Sequence, residues 1–487
     1  MSLFGPIDYA KLASSLEDPS VPEASLFGLV DYAKLVAALR NSKLPLGEAS
    51  YIVFRDGDAF KAKSGQTGAI DYSGGDAATV IQEALNAAGL AGGGLVHVKA
   101  GEYPLSKAVS VPDKVTLEGE GSGTVLKAKA GINAVEIARG FGFVAVRRLV
   151  VEGEPGSYEG IRIFTEQSIS DIIVEQCIIR NMGSDAIAIW GSGASGSIYD
   201  VWILNNDIYS CGGRGVLVGN GAIRVAIIGN NVKTVEHNGI DLDNAVHDSI
   251  IANNRIRDPL YDCILVSRSD HCLIMGNWCY GSRTVHGIDL DRVTNCIIAG
   301  NLCAYNYESG IFMWANYESG KGQFNSIVGN VCRENGYNGI ELKEGCRYNT
   351  VIGNACKGNG TANKGTGHGI LLNDVEYNSV VGNACCENQM AGIYLYMAEG
   401  NIVKGNQCID NSRLAANAHD GIILTDDGAT GSLRNILIGN RCSGNRYGVR
   451  EESLGDYNLI LGNILVGNAT GSLSTVGANT VTTDNIV

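Results

Sequence analysis

The segment Gly329-Asn330-Val331-Cys332-Arg333-Glu334-Asn335-Gly336-Tyr337-Asn338-Gly339-Ile340-Glu341-Leu342 decides the fold, because its pattern returns throughout the second half of the chain. The pattern is Gly-Asn-x-Cys, an Asn three residues after the Cys, and then Gly-Ile-x-Leu. Steps between copies are mostly 23 or 24 residues, with longer ones of 29 and 34, and further copies of Gly-Asn-x-Cys begin at Gly276, Gly300, Gly353, Gly382, Gly405 and Gly439. A repeat of this length indicates a solenoid of stacked units.

Each unit contains short, alternating apolar segments between Gly and Asn residues, which are typical of strands and not of helices. One unit of 20-odd residues cannot bury its own apolar face, so successive units must stack. A propeller blade would need about 40 residues, and leucine-rich repeats have a different consensus. The sequence therefore predicts an all-β fold, a single-stranded right-handed parallel β-helix.

The chain has 14 cysteines. The Cys of each Gly-Asn-x-Cys motif and the repeated asparagines are predicted to form columns inside this solenoid, because equivalent positions stack about 4.8 Å apart. We expect the cysteines to be buried free thiols in the core, since no compact Cys-x-x-Cys or His cluster suggests a metal site. Free thiols also suit folding under reducing conditions. Stacked Asn amides, such as the column from Asn306 to Asn445, can hydrogen-bond along the axis and satisfy the turns.

The amino-terminal third departs from the repeat. Residues 76–89 are predicted to form an amphipathic helix that plugs the solenoid, with Asp76 as N-cap and Gly89 as C-cap. Tyr51–Lys63 has the pattern of a hairpin turning at Asp56-Gly57. We therefore divide the chain into a duplicated helical extension (1–50), a β-hairpin and linker (51–75) and the parallel β-helix (76–487).

The extension contains an internal duplication, since the motif of Ser2 to Leu12 returns at Ser25 to Leu35. Both copies resemble amphipathic helices too short to be stable alone. We expect them to drive homo-oligomerisation, such as a trimer, or attachment; the alternative is a folded-back cap. Met1 to Leu16 lack the pattern of a secretory signal, so the compartment stays open, with the extracellular space or a virion surface as candidates.

Charge and hydropathy exclude some partners. The net charge of −14 argues against nucleic acid, which needs a clustered basic surface. It also disfavours a strongly anionic glycan, unless a local Arg/Lys patch intervenes. No apolar stretch reaches the roughly 18 residues that a membrane span requires.

The segment from Asp76 to Gly121 resembles the amino-terminal entry of the pectate-lyase-like β-helix superfamily. Shared features are a capped helix with Ile81-Gln82 near its middle, a Gly-Gly-Gly-x-Val strand, an Ala-Gly-x-Tyr turn and a Leu-x-Gly-x-Gly strand. The later coils resemble the repeats of NosD-like proteins, and together the likeness spans most of the chain. The superfamily includes polysaccharide lyases, glycoside hydrolases, epimerases and viral tailspikes, so the resemblance implies a polysaccharide partner but no single chemistry.

Two subfamilies can be compared motif by motif. Of the polygalacturonase motifs, one Asp and the His-Gly pair, here His286-Gly287, are present, while two Asp positions and the basic pair are missing. Of the mannuronan epimerase motifs, Asp241, Asp262 and His286 match, but Asn238 and Asp243 replace a Tyr and a His. Neither signature is complete.

The candidate site lies on the outward positions of the Gly-Ile-x-Leu strands, because Ile and Leu point inward. The candidate catalytic residues are Asp241, Asp243, Asp262, His286, Asp289 and Asp291. The candidate substrate-binding residues are Arg268, Arg292, Phe312, Trp314, Glu341, Lys343, Asn373, Tyr394 and Tyr396. Carboxylates, aromatics and amides in one stripe suit hydrogen bonding and stacking to sugars.

Asp241 and Asp289 are predicted two coils apart, so stacking separates their backbones by about 9–10 Å. This approaches the carboxyl separation of inverting glycosidases, roughly 6.5–9.5 Å. Crowding should raise at least one carboxyl pKa, and His286 could orient the pair. No cofactor is required for this chemistry, but the same acids could instead hold Ca²⁺. A third reading is a solvated face with salt bridges from Asp241 and Asp289 to Arg268 and Arg292.

The favoured function is therefore glycoside hydrolysis by paired carboxylates, ahead of a lyase or C5-epimerase reaction. The alternatives are a glycan-binding adhesin or viral tailspike without catalysis, and a structural or accessory β-helix protein.

Overall fold

The computed structural model describes residues 49–137, 141–165, 168–191 and 198–487. Each coil contributes one short strand to each of three long sheets, and every strand pairs in parallel with its counterpart one coil away, apart from a meander at the amino-terminal end. Parallel crossovers of this kind are right-handed. The predicted right-handed parallel β-helix is confirmed. The predicted duplicated extension, residues 1–48 of it, lies outside the described residues.

Three sheets contain 48 strands within the described ranges. Sheet 1 consists of Tyr51–Asp56, Ala59–Ser64, Ile70–Gly74, Gly94–Val98, Val115–Gly119, Phe141–Arg147, Ile169–Glu175, Ile198–Leu204, Ile223–Ile228, Ile250–Ala252, Leu273–Met275, Ile297–Ala299, Ser326–Val328, Thr350–Ile352, Ser379–Val381, Ile402–Lys404, Ile436–Ile438, Leu459–Leu461 and Val481–Thr483. Sheet 2 consists of Gly101–Leu105, Thr124–Ala128, Val150–Gly153, Ile178–Arg180, Asp207–Tyr209, Asn231–Lys233, Arg255–Arg257, Trp278–Tyr280, Leu302–Ala304, Val331–Arg333, Ala355–Lys357, Ala384–Cys386, Gln407–Ile409 and Arg441–Ser443. Sheet 3 consists of Val109–Ser110, Val135–Ile137, Ile161–Phe164, Ile187–Trp190, Val216–Gly219, Ile240–Asp243, Ile264–Ser267, Ile288–Asp291, Ile311–Trp314, Ile340–Lys343, Ile370–Asn373, Ile393–Tyr396, Ile422–Thr425, Tyr447–Glu451 and Gly471–Ser474.

The amino-terminal end of the solenoid begins with three antiparallel strands of sheet 1. Tyr51–Asp56 pairs with Ala59–Ser64 across the turn at Gly57, and Tyr51–Asp56 also pairs in parallel with Gly94–Val98. The hairpin is thereby continuous with the first coil of the β-helix.

An α-helix at Ala77–Leu90 follows the meander and buries its apolar side against the first coils. Asp76 is its N-cap, as predicted, and accepts a hydrogen bond from the backbone N–H of Thr79 at 3.0 Å. The predicted C-cap was wrong, because Gly89 lies within the last turn and the cap is Ala91. The chain leaves the helix instead through Gly93, whose φ of 120° lets its N–H bond to the carbonyl of Ala88 at 2.9 Å.

Two kinds of glycine recur for different physical reasons. Gly353 of a Gly-Asn turn has a φ of 64° and open space around it, so the left-handed backbone conformation requires it. Gly339 of a Gly-Ile-x-Leu segment is instead required by close approach. A Cβ there would lie 2.5 Å from the carbonyl oxygen of Gly369 and 2.8 Å from the Cβ of Cys356. The two motif glycines therefore set the corner and the coil spacing, respectively.

Buried amide columns line the corners of the coils, and the predicted column from Asn306 to Asn445 is confirmed. Each Asn donates its side-chain N–H to the Oδ1 of the next Asn, as from Asn306 to Asn335 at 2.9 Å. Besides this column and the column formed by the Asn of Gly-Asn, the structure contains a third one that the sequence pattern did not predict. Its members are Asn325, Asn349, Asn378, Asn401, Asn435 and Asn458. These columns supply partners for buried backbone groups where the strands stop.

The predicted cysteine column is confirmed on the inward side of sheet 2, where Cys279, Cys303, Cys332, Cys356, Cys385, Cys408 and Cys442 occupy one register position in successive coils. All 14 cysteines are free, and only Cys386 is more than marginally exposed. They fill the narrow interior as small apolar side chains. Among the described residues, no helix is both long and apolar enough to cross a membrane.

Candidate functional site

Sheet 3 positions the candidate residues as predicted. Its inward positions, such as Ile240, Ile264 and Ile288, are fully buried. The first outward column contains Asp241, Leu265, Asp289, Phe312, Glu341, Leu371 and Tyr394 in consecutive coils. The second contains Asp243, Ser267, Asp291, Trp314, Lys343, Asn373 and Tyr396. Asp241 and Asp289 are thus two coils apart.

A third column, two residues before each strand, forms a hydrogen-bonded ladder, which we call the turn column. In three consecutive coils the side chain at this position accepts a hydrogen bond from the backbone N–H of its counterpart in the next coil. The N–H groups of Asp262, His286 and Ser309 donate to Asn238 Oδ1 at 3.0 Å, Asp262 Oδ1 at 3.0 Å and His286 Nδ1 at 3.2 Å, respectively. Asp262 and His286 therefore satisfy backbone groups in addition to any chemistry.

Asp241 is buried, at 1% exposure, and bound on one side only. Its Oδ2 accepts hydrogen bonds from Arg214 Nε at 2.6 Å and Asn238 Nδ2 at 3.0 Å, whereas its buried Oδ1 has no partner. Burial raises the pKa of this carboxyl, against the opposing effect of the Arg214 guanidinium and the Asn238 amide. The alternative reading of a solvated face paired Asp241 with Arg268 or Arg292, but Asp241 pairs with Arg214 instead.

Asp289 and Asp262 form an electrostatically coupled pair. Burial raises the pKa of Asp262 to about 7, and burial together with the Asp262 carboxyl raises that of Asp289 well above its ordinary value. Asp289 is the more accessible of the two, but its Oδ1 is enclosed and lacks a partner. Like charges this close cannot both ionise readily, so the pair retains a proton at a pH where ordinary carboxyls have lost theirs.

His286 is held as a neutral ring. Its Nδ1 accepts the Ser309 N–H, so the ring proton lies on Nε2, which is 3.2 Å from Oε2 of Glu308. Burial lowers the pKa of His286 to about 3. The ring also stacks on Phe312, with centroids 4.3 Å apart and planes 8° apart. His286 therefore contacts Glu308 and Phe312 rather than orienting the Asp241–Asp289 pair as expected.

Side chains of the second outward column form ion pairs, hydrogen bonds and ring contacts with neighbouring residues. Arg292 binds both carboxylate oxygens of Asp291, at 2.7 and 2.6 Å, and lies 5.8 Å from the Trp314 ring centroid. Trp314 donates its indole N–H to Glu344, which also pairs with Lys343 at 3.0 Å. The salt bridge expected between Asp289 and Arg292 is thus replaced by one to Asp291.

Farther along the face, Glu341 accepts hydrogen bonds from Asn338 at 2.8 Å and Ser309 at 3.1 Å, and burial raises its pKa. Tyr394 lies 6.2 Å from Tyr396, centroid to centroid, and 4.4 Å from His368. Asp243 and Asn373 are half-buried on the same face. The candidate residues therefore lie on the two outward columns of sheet 3, in the turn column, or directly after a strand of sheet 3.

Arg214, Asn238 and Glu308 also belong to this cluster, although the sequence pattern did not predict a role for them in it. Arg214 and Asn238 belong to the turn column, and Glu308 immediately precedes its member Ser309. The position of Arg214 and Asn238, two residues before a strand of sheet 3, could have indicated this role. Stacking brings all members of the turn column to the same edge of sheet 3.

Across the residues that the structure describes, no group of three or more His, Cys, Asp or Glu side chains is arranged to hold a metal ion. The carboxylates are instead paired with Arg214, Arg292, backbone N–H groups or one another. Ca²⁺ binding at these acids therefore stays a prediction without a preformed oxygen cage.

The raised carboxyl pKa of Asp262 predicts a pH-dependent stability. The folded state holds a proton that the unfolded chain releases near pH 3.8, so this contribution is complete below about pH 4 and declines as pH rises toward 7. Burial of neutral His286 acts oppositely, losing stability as pH falls. The Asp262→Asn variant should therefore gain stability relative to the parent as pH rises from 4 to 7.

Urea unfolding at several pH values measures this difference, with the exposed Glu376→Gln as control. A stability difference independent of pH would contradict the proton held at Asp262.

Comparisons with known proteins found several solved structures to which this chain is similar. The mannuronan C-5 epimerase AlgE6 A-module of Azotobacter vinelandii is 17% identical, with 84% of this chain and 95% of that chain covered and a TM-score of 0.46. The catalytic unit of a GH87 α-1,3-glucanase from Streptomyces thermodiastaticus is 14% identical, with coverages of 76% and 66% and a TM-score of 0.45. The Dettilon tailspike protein is 15% identical, with coverages of 82% and 65% and a TM-score of 0.43. At these values the likenesses carry no conclusion about activity or substrate.

No curated protein matches the chain. A family model, described as periplasmic copper-binding protein (NosD), matches residues 122–292, 278–415 and 364–487. These overlapping matches together span 122–487, which is most of the repeat region and well over half of the chain. The chain belongs to the NosD family of right-handed parallel β-helix proteins.

Proposed function

We propose that this protein is a polysaccharide-acting enzyme that hydrolyses glycosidic bonds on the outward face of sheet 3. The observation that carries the proposal is the set of buried carboxyls Asp241, Asp262 and Asp289, whose pKa values are raised and two of which have an unpartnered oxygen. Burial of carboxyls that lack full hydrogen bonding lowers the stability of the fold. Groups with such perturbed pKa values cluster at catalytic sites.

Asp289 is assigned as the general acid. Its carboxyl keeps a proton because of burial and the neighbouring Asp262, and it is the most accessible member of the three. Proton donation to the leaving oxygen needs a group that is still protonated near the working pH.

Asp241 is assigned as the general base, because the Arg214 guanidinium opposes the effect of burial on its pKa and favours the ionised form, and its enclosed Oδ1 has no hydrogen-bond partner among the described residues. Two coils separate the backbones of Asp241 and Asp289 by about 9–10 Å, which leaves room for a water and a sugar ring. This spacing favours inversion at the anomeric carbon.

Substrate contacts are expected along the rest of the stripe. Phe312, Trp314, Tyr394 and Tyr396 are half-buried, so each keeps part of its ring available to sugar C–H groups. Arg292, Lys343 and Asn373 border these rings on the same face.

The proposal is tested by incubating the full chain with a panel of neutral and acidic polysaccharides. New reducing ends should appear, without an ultraviolet-absorbing unsaturated product. Proton NMR during the first turnovers should show the anomer opposite to that of the substrate. An unsaturated product would replace the proposal with a lyase reaction, and a retained anomer would remove the assigned base.

Binding without catalysis is the second candidate, and the deep burial of Asp241 favours it. In that case a glycan from the panel would bind but release no reducing ends, and the carboxyl-to-amide variants would bind it equally well.

Copper, which the family description names, does not fit the donor set that the structure describes. Soft thiolates and clustered imidazoles are the ligands that copper prefers. Here the thiols of the cysteine column lie buried in the core, and among the described residues no group of His, Cys, Asp or Glu side chains is arranged to hold a metal ion. We therefore assign no chemical step to copper and take from the family description only a location outside the cytoplasm.

A further inference from the structure

The outward side of sheet 2 has a surface that differs in character from the carboxyl cluster on sheet 3. We define it as the basic–aromatic patch, formed by Arg255, Arg257, Trp278, Tyr280, Tyr305 and Arg333. Strand register places Arg255 beside Trp278 and Arg257 beside Tyr280. Arg333 occupies the same column as Tyr280, two coils farther along, with Ala304 between them. The patch therefore spans four consecutive coils.

The aromatic side chains of the patch are exposed. Along the strand Trp278–Tyr280 the side chains alternate between the core and the outward face, so the two rings point outward. Cys279 points into the core between Trp278 and Tyr280, which leaves those two side chains 53% and 42% exposed. Tyr305 is 47% exposed, and its ring centroid lies 5.1 Å from that of Tyr280. Large exposed rings that are grouped in this way are typical of a binding surface.

The charge of the patch is opposite to that of the protein as a whole, which is −14. On the outward positions of the six strands from Asn231–Lys233 to Ala355–Lys357, every charged residue is basic. Acidic residues occur past the strand ends: Asp258 lies 3.6 Å from Arg257, Glu334 directly follows Arg333, and Glu387 lies 3.2 Å from Lys357.

Two cations of the patch are held by rings and not by carboxylates. The guanidinium of Arg255 lies 5.4 Å from the Trp278 ring centroid, and that of Arg333 lies 5.4 Å from the Tyr305 centroid. A ring positions a guanidinium without neutralising it. Both groups can therefore still form two-pronged hydrogen bonds to an anion such as a carboxylate or a sulfate.

We propose that the basic–aromatic patch is a binding site for an acidic polysaccharide, separate from the carboxyl cluster. Guanidinium groups would bind the carboxylate or sulfate groups, while Trp278, Tyr280 and Tyr305 contact the sugar rings. A slender glycan can lie within the patch, whereas a nucleic acid duplex would extend its phosphates over the acidic remainder of the surface. The patch would hold an acidic chain that the carboxyl-rich face of sheet 3 repels.

The test uses affinity electrophoresis of the full chain in gels containing polygalacturonate, neutral dextran or double-stranded DNA. Polygalacturonate alone should retard the protein, and added salt should weaken the retardation. The double variant Arg255→Ala/Arg333→Ala should weaken apparent affinity by about tenfold, and Trp278→Ala by about fivefold. Arg441→Ala, which changes an exposed arginine on the same column as Arg255 but several coils away, should change nothing.

Thermal unfolding confirms that the variants are folded. Absence of retardation, equal retardation by DNA, or variants that bind like the parent would each overturn the proposal. Asp289→Asn should bind polygalacturonate normally, so failure of the patch is separable from failure of the proposed hydrolase.

Discussion

Replacement of Asp289 by Asn is expected to lower the rate of glycan hydrolysis by about 10²–10⁴-fold, because the amide cannot donate a proton to the leaving oxygen. Asn has the same shape, and Asp289 makes no hydrogen bond that the exchange would break among the described residues. Stability near neutral pH should therefore be unchanged or slightly higher, since a crowded buried carboxyl is removed. Reducing-end release and urea unfolding measure the two effects.

The pH profile sharpens this assignment. Because a raised pKa keeps Asp289 protonated, activity should fall as pH rises through that pKa. Glu376→Gln alters an exposed carboxylate outside the strands of sheet 3 and should retain full activity. Unchanged hydrolysis in Asp289→Asn would exclude this residue as the acid, whichever sugar is the substrate.

Repetition is the reason that the fold could be predicted from the sequence. A residue such as Asn330 has the same environment as its equivalents in other coils. The same assignment of inward and outward positions therefore had to hold for every copy of the repeat. The missed amide column from Asn325 to Asn458 was also within reach. Its members lie five residues before the Asn of each Gly-Asn turn, as Asn325 does before Asn330.

The site could be predicted only as far as strand register determines it. Register places Asp241 and Asp289 on one outward column, and alternation along the strand is enough to show this. Ion pairs depend instead on where long side chains reach. Arg268 follows its strand with a φ of 47° and is exposed, whereas Arg214 reaches one coil along to Asp241.

The helix C-cap illustrates a similar limit. Gly89 has the expected residue type, but the glycine run at Gly92–Gly94 supplies better positions for the left-handed turn. The Gly89 position is instead close to Pro112, 3.1 Å from where a Cβ would lie. When several glycines lie close together, the packing of the chain that follows the helix decides which of them ends it. The local sequence pattern does not contain that information.

Replacement of Asn330 by Ala is expected to destabilise the protein by about 3–6 kcal/mol, because several buried polar groups lose their partners at once. Oδ1 of Asn330 accepts from both the backbone N–H and the side-chain amide of Asn301, at 2.9 and 3.0 Å. Its own amide donates to the Ile298 carbonyl at 2.9 Å and to Asn354 Oδ1 at 3.0 Å. No water can replace these bonds without opening the coil, since Asn330 is 0% exposed.

Because Asn301 and Asn354 occupy the same column, the damage should extend to both neighbouring coils. Hydrogen exchange should therefore become faster at these three coils before it changes at the ends of the solenoid. Gln407→Ala, which removes an exposed amide on the outward side of sheet 2, should cost less than about 0.5 kcal/mol. If Asn330→Ala were as mild as this control, the amide column would be a consequence of the turn geometry and not a source of the stability that holds the coils in register.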